Sequence, residues 1–327
     1  MENKKVLYVT TKNIDYIRNV QIIKMLKNNY TDIKILYSKK KNYYLRIAEV
    51  NLKLLFERKS KYDIIFFGFL PQLIFSFFYK KKKENQLIII DFIISLYNTL
   101  IFDRKRIKEK ALLARLLKNI DTKISSKADI VYTDTKTQAR YFEKEFNIDK
   151  SKFQTLYLEP NTDIYNKNTG YIKLKDSDDE FIVLWFGTIL PLQGVDIILE
   201  SAKLLNGNKK IKFYIIGNIK NLNVDEKEYM NVKFIPWMLD KELAKYINSA
   251  DLCLAGHFSS KNERANREIP GKAFTYKAMG KKIILGKSEA NQEKFIENNR
   301  DIFYVERGNP EKLAKKIEEV WVKSKEE

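Results

Sequence analysis

Three cations and a helix start crowd into one stretch, Arg264-Ala-Asn-Arg-Glu-Ile-Pro-Gly-Lys-Ala-Phe-Thr-Tyr-Lys-Ala-Met-Gly-Lys281. Pro270 suits the first turn of a helix, whose leading N–H groups lack intrahelical acceptors, and Gly271 keeps that end open. Lys272 then projects beside those N–H groups, with Arg264 and Arg267 just before them. Together they make an anion site suited to a diphosphate. On spacing alone, a solvated basic loop ahead of an amphipathic helix is an equal alternative.

The remaining candidates stand where strands end. The 11 glycines are concentrated in the second half, and Gly187, Gly217 and Gly256 each follow an apolar run. In open parallel sheets ligands bind at the carboxyl ends of strands, where glycine lets the backbone approach a phosphate. His257, the one histidine, follows Gly256 and reads either as a hydrogen-bonding or acid–base group or as an exposed loop residue. Asp91 closes the apolar run Leu87–Ile90, which makes it a catalytic candidate or a capping carboxylate. Asp103 and Arg104 read as a substrate contact or an ion pair. The acidic run Asp176–Glu180 contains a D-x-D but sits in a polar stretch away from any strand end, so it is read as solvated and no metal is called for. A lone histidine and a strand-buried Cys253 also argue against zinc.

Positioning these groups takes a regular scaffold. Twelve short runs rich in β-branched and aromatic residues alternate with helical periodicity: Val6–Thr10, Ile33–Tyr37, Ile64–Phe67, Leu87–Asp91, Ile130–Thr133 and Phe153–Leu158, then Phe181–Phe186, Ile211–Ile216, Val232–Ile235, Leu252–Ala255, Lys282–Leu285 and Ile302–Val305. Strands apolar on both faces and separated by helices indicate parallel sheets covered on both sides. Helices are expected between them, among them Tyr43–Lys59, Arg104–Lys127, Gln292–Asn298 and Pro310–Lys323. The fold class is α/β, with two Rossmann-like doubly wound domains. Expected boundaries are 1–165 for a basic first domain, 166–180 for a linker, 181–309 for the second domain and 310–327 for a C-terminal helix. Neither G-x-G-x-x-G nor G-x-x-x-x-G-K-[ST] occurs, which argues against an oxidoreductase and a P-loop NTPase.

Two motifs in fixed order resemble those of the retaining, GT-B-fold glycosyltransferases of the large group 1 (family 4) class. The first is strand–glycine–turn–glycine–helix, Phe186-Gly187 to Gln193-Gly194. The second is Pro270-Gly-Lys-Ala-Phe-Thr-Tyr-Lys-Ala-Met-Gly-Lys-Lys282. The similarity spans about 180 to 310. It implies two domains facing a cleft, an acceptor between them and a nucleotide-sugar, UDP-linked, as co-substrate with no further cofactor. Carried over by position, Gly187, Thr188, Gln193 and Gly194 face the diphosphate or donor sugar. Lys272, with Pro270 and Gly271 at its helix start, binds the diphosphate. Trp237, in Phe234-Ile-Pro-Trp-Met238, lies where the base rests. Thr188 stands where the family often has Arg, Gln193 where Lys is commoner, and Thr275 where it has a ribose-binding Glu, while Arg267 falls on that Glu's upstream partner. Arg264, Arg267 and Lys272 are then the groups left to compensate through the phosphates.

Composition bounds the partners. The 327 residues suit about two domains with proper cores. A hydrophobic fraction of 44% and a single cysteine rule out disordered and disulfide-stapled chains. Of the net charge of +19, residues 1–160 carry +16 and the remainder +3. No signal segment is visible and the longest uncharged run, Ile64 to Tyr79, is shorter than the ~20 residues of a span. A cytoplasmic protein, peripheral at the inner face of the membrane, is expected. Residues 75–83, aromatics against four lysines, and residues 104–118, a basic stretch with Ile107, Leu112, Leu113, Leu116 and Leu117, suit an anionic membrane surface and a glycan or lipid-linked acceptor. A core stripe with a solvated basic face is the alternative for the second segment. Nucleic acid is not expected, since no reading module is present. A nucleotide-sugar 2-epimerase-like enzyme and a non-catalytic basic nucleotide- or nucleic-acid-binding protein are the competing functions.

Overall fold

The computed structural model describes residues 2–74, 82–104, 106–218, 224–298 and 300–326. The chain divides into two units, Met1–Glu159 and Pro160–Glu327. All twelve expected strands form, in two six-stranded parallel sheets.

The first unit runs β1 (Glu2–Val9), α1 (Ile17–Asn29), β2 (Tyr30–Leu36), α2 (Tyr43–Phe56), β3 (Ile64–Phe67), β4 (Leu87–Asp91), the single turn α3 (Leu96–Asn98), α4 (Leu112–Lys127), β5 (Ile130–Thr133), α5 (Lys136–Phe146) and β6 (Phe153–Thr155). Its sheet order is β2-β1-β3-β4-β5-β6. Val6–Val9 and Ile64–Phe67 are buried throughout because helices cover both sides of the sheet. Ile22 and Leu26 of α1 pack on one side with Val6 and Tyr8. Val50 and Leu54 of α2, Leu117 and Ile124 of α4, and Phe142 and Phe146 of α5 pack on the other with Leu7 and Val9.

The second unit contains β7 (Phe181–Phe186), α6 (Val195–Leu204), β8 (Ile211–Ile216), β9 (Val232–Ile235), α7 (Asp240–Ser249), β10 (Leu252–Gly256), the short α8 (Arg264–Arg267), α9 (Gly271–Ala278), β11 (Lys282–Gly286), the short α10 (Glu289–Gln292), β12 (Ile302–Val305) and α11 (Pro310–Lys323). The order β12-β11-β10-β7-β8-β9 reverses direction between β7 and β10. That switch point is where doubly wound sheets open a crevice beyond their strand ends.

Four expectations change. Residues 160–165, expected in the first domain, and 166–180, expected as a linker, are both part of the second unit. Ile172 is bonded through both backbone groups to the Ser249 hydroxyl, each at 2.8 Å, and Tyr214 donates to the Leu174 carbonyl at 2.8 Å. The C-terminal helix is no separate element either, since Leu313, Ala314, Ile317 and Val320 of α11 lie in the core with Ile198 and Ala202 of α6. The helix expected over Arg104–Lys127 starts only at Leu112, because residues 104–110 place five cations against one acid and repel one another in a helix. The helix expected over Gln292–Asn298 is instead α10, which Ser288 starts by accepting from the Asn291 N–H. Asn298 Oδ1 then takes the N–H groups of Arg300, Asp301 and Ile302 and leads into β12.

Candidate functional site

The site lies at the carboxyl ends of β7, β10 and β12. Gly187 ends β7 with its N–H bonded to the Ile216 carbonyl at 3.0 Å and a φ of +150°, a conformation that side chains rarely adopt. The chain then turns through Pro191–Gln193 and enters α6 at Gly194, whose φ is +67°. A Cβ on Gly194 would lie 2.6 Å from the Ser259 nitrogen, so this turn sits directly on the loop after β10. Phe258 ties the ends together: its N–H donates to the Gln193 carbonyl at 3.1 Å, and its carbonyl accepts from Gly308 beyond β12 at 2.7 Å.

Lys272 reaches into this frame from the first turn of α9. Pro270 caps that helix with no side-chain acceptor, and Ala273 bonds back to the Pro270 carbonyl at 2.9 Å. The N–H groups of Gly271 and Lys272 therefore have no partner within the helix. The Lys272 ammonium donates to Gln193 Oε1 at 2.6 Å and lies 4.3 Å from the centre of the Trp185 ring. It would stand 3.1 Å from a Cβ placed on Gly187, so a side chain there would occupy the space in front of it. Among the described residues no carboxylate pairs with Lys272. Burial lowers its pKa well below the usual lysine value, which is the cost of holding a cation without a counter-charge.

Other cations converge on the same place. His257 is buried, and its pKa is pushed down to about 3, first by burial and then by the charges of Lys272, Arg264 and Arg307. Its imidazole is neutral at pH 7, and its Nδ1 has no hydrogen-bond partner among the described residues. Arg264 is paired with Glu268 four residues on, and its N–H is held by Asn262 Oδ1 at 2.9 Å. Arg307 follows β12, and its Nη1 is buried with no hydrogen-bond partner among the described residues. The charges of Lys272, Arg264 and Arg307, all felt at His257, make a positive field suited to an anion.

The sequence-selected residues are distributed as follows. Gly187, Gln193, Gly194, His257, Pro270, Gly271 and Lys272 come together, and Arg264 and Arg267 lie on the short helix α8 just before. Thr275 is buried one turn beyond Lys272 on the same helix. Thr188 is exposed at the β7 end. Trp237 follows β9, the outer strand, and is 55% exposed, with β8 between it and β7. In the first unit Asp91 is fully buried at the end of β4. Its Oδ1 accepts from Arg18 Nε at 3.1 Å and from Nη2 at 2.8 Å, tying α1 to the sheet. Asp103 ends the wide helical turn Thr99–Asp103, and Arg104 beyond it is exposed. Residues 75–81 of the aromatic–lysine segment lie outside the described residues. Among the described residues no helix is long and apolar enough to cross a membrane.

Two contributors escaped the sequence. Trp185 reads as an ordinary core residue of an apolar strand, yet its ring faces the Lys272 ammonium. Arg307 follows a strand just as His257 does, and that position was the signal available.

Residues 180–322 match the family model described as glycosyl transferases group 1. No curated protein matches the sequence. Among solved structures the chain is similar to Anabaena Alr3699/HepE in complex with UDP and glucose, with a TM-score of 0.66 and 13% identity over 99% of this chain and 91% of that one. It is also similar to sucrose-phosphate synthase from Thermosynechococcus elongatus, with a TM-score of 0.69 and 11% identity over 98% and 90%. The lipopolysaccharide outer core galactosyltransferase WaaB in its apo form gives a TM-score of 0.63 at 11% identity over 98% and 91%. The second unit therefore belongs to the group 1 glycosyltransferases, and the whole chain has the two-unit GT-B fold of such enzymes.

Proposed function

We propose that the protein transfers a sugar from a UDP-linked donor to a glycan or lipid-linked acceptor with retention of configuration. The observation that carries this reading is the Lys272 ammonium, buried beside the Gly187 turn and the open start of α9 with no carboxylate paired to it among the described residues. A diphosphate placed there accepts from Lys272 and from the leading N–H groups of α9, and it meets the positive field of Arg264 and Arg307. The UDP held by the Anabaena protein of the same fold supports that choice of donor.

In this reading the donor C1–O bond breaks, its electron pair leaves on the diphosphate, and the acceptor oxygen forms the new bond to C1. The acceptor proton passes to the departing phosphate oxygen, so no dedicated protein base is required. Lys272 and its neighbours stabilise the charge that develops on the leaving group. His257, neutral and buried, serves as a hydrogen-bonding group to the donor rather than as an acid. Asp103 and Arg104 are proposed acceptor contacts on the first unit. The membrane reading of residues 104–118 is supported by Leu112, Leu113 and Leu116, which α4 leaves exposed while Ala114 and Leu117 face the core.

A thermal-shift panel of UDP, GDP, ADP and CMP tests the donor assignment. UDP should raise the unfolding temperature most; a panel with no shift for any nucleotide overturns it.

A further inference from the structure

The outer face of α2 presents no polar side chain except one tyrosine hydroxyl. Asn42 starts this helix by accepting from the Tyr44 and Leu45 N–H groups, and Arg46, Val50, Asn51 and Leu54 turn inward. At about 100° per residue the opposite arc holds Tyr44, Leu45, Ala48, Leu52, Leu55 and Phe56. All six are exposed, Tyr44 by 80% and Phe56 by 79%. A surface helix ordinarily places charge on that arc, and a continuous apolar one marks an interaction surface.

The rim of the arc is basic. A groove of about 740 Å³ between α2 and the edge strand β2 is lined by Lys34, Lys39, Lys40 and Lys53, with Glu49, Glu57 and Phe56. Lys53 is paired with Glu49 at 2.6 Å and Lys34 with Glu57 at 2.5 Å. Lys39 and Lys40, with the neighbouring exposed Lys41, make no ion pair among the described residues. The α4 leucines share this helical layer. Asn51 of α2 donates to the Leu73 carbonyl at 3.1 Å, and Gln72 beside it donates to Asp121 of α4 at 2.8 Å.

We propose that this layer docks on an anionic bilayer, with the outer arc of α2 entering the interface and Lys39–Lys41 facing lipid phosphates. Charge decides between this occupant and a second copy of the chain. Two copies joined through α2 would bring together two units of +16 with their lysines at the seam, whereas anionic lipid neutralises them. The inference deepens the lipid-linked acceptor reading. It is separable from the donor reading, because vesicle binding and UDP binding are measured independently.

The test is flotation of the full chain with phosphatidylcholine vesicles, with and without about one-third phosphatidylglycerol. The wild type should float only with the anionic vesicles and be released by salt. Lys39→Ser/Lys40→Ser/Lys41→Ser should weaken binding on the order of 100-fold. Leu45→Gln/Leu52→Gln/Phe56→Gln should weaken it at least tenfold while UDP binding and the unfolding temperature are retained. Three outcomes overturn the proposal: a wild type indifferent to lipid charge, both variants floating like the wild type, or a wild-type dimer that the glutamine variant makes monomeric.

Discussion

Gln193 Oε1 accepts a 2.6 Å hydrogen bond from the Lys272 ammonium across 79 residues of sequence, so a neutral amide holds the lysine. An amide oxygen fixes the direction of the ammonium without cancelling its charge. A carboxylate in its place would do both. The pair therefore holds a cation ready for an incoming anion at the cost of its desolvation.

Gln193→Glu should convert that arrangement into a closed ion pair. UDP affinity, measured by calorimetry, is expected to fall about 10- to 100-fold, in line with the loss of a charged hydrogen bond. The unfolding temperature should hold or rise, because the buried ammonium gains a counter-charge.

Gly187→Ala places a methyl 3.1 Å from the Lys272 ammonium on a backbone at φ +150°. Strain at such a position costs on the order of 1–3 kcal/mol, which chemical denaturation will register. Donor binding should fall further than this strain alone explains, since the methyl occupies the space in front of the cation.

His257 makes stability pH-dependent. Its folded pKa of about 3 lies below the ordinary value of 6.5, so the unfolded chain binds the extra proton between those limits. Stability should therefore fall as pH is lowered from about 6.5, with a limiting slope of about 1.4 kcal/mol per pH unit. Between pH 6.5 and 5, where carboxylates contribute little, His257→Asn should remove that slope in urea titrations.

Asp91 answers to a different test. Arg18 and Asp91 are both buried, and removing one partner strands the other's charge. Arg18→Leu alone should destabilise by about 3–5 kcal/mol. The double variant Arg18→Leu/Asp91→Leu should recover much of that loss, as a structural tie requires; no recovery in the double variant would contradict it.

The strands were legible because each is a short run apolar on both faces, and such a run has few other ways to be buried. The glycine turn at Gly187 and the Pro270–Lys272 helix start were legible because their chemistry is local. What stayed hidden depends on distant partners. Nothing in the stretch after Asn161 shows that Ser249 would claim it for the second unit, or that Arg18 would take up the Asp91 carboxylate. The exposed side of α2 was masked by its own periodicity: a helix apolar on both faces reads like one apolar on a single face until the core shows which side is filled. The leucines of Arg104–Lys127 recur at helical spacing and suggest one helix, but repulsion among its first cations confines the helix to Leu112 onward.

Calorimetric titration of UDP into the wild type and Lys272→Ala tests the central claim most directly. The account predicts measurable binding to the wild type and a loss of about 10- to 100-fold in the variant, the worth of one charge-assisted contact to a diphosphate. Equal affinity for both proteins would contradict it.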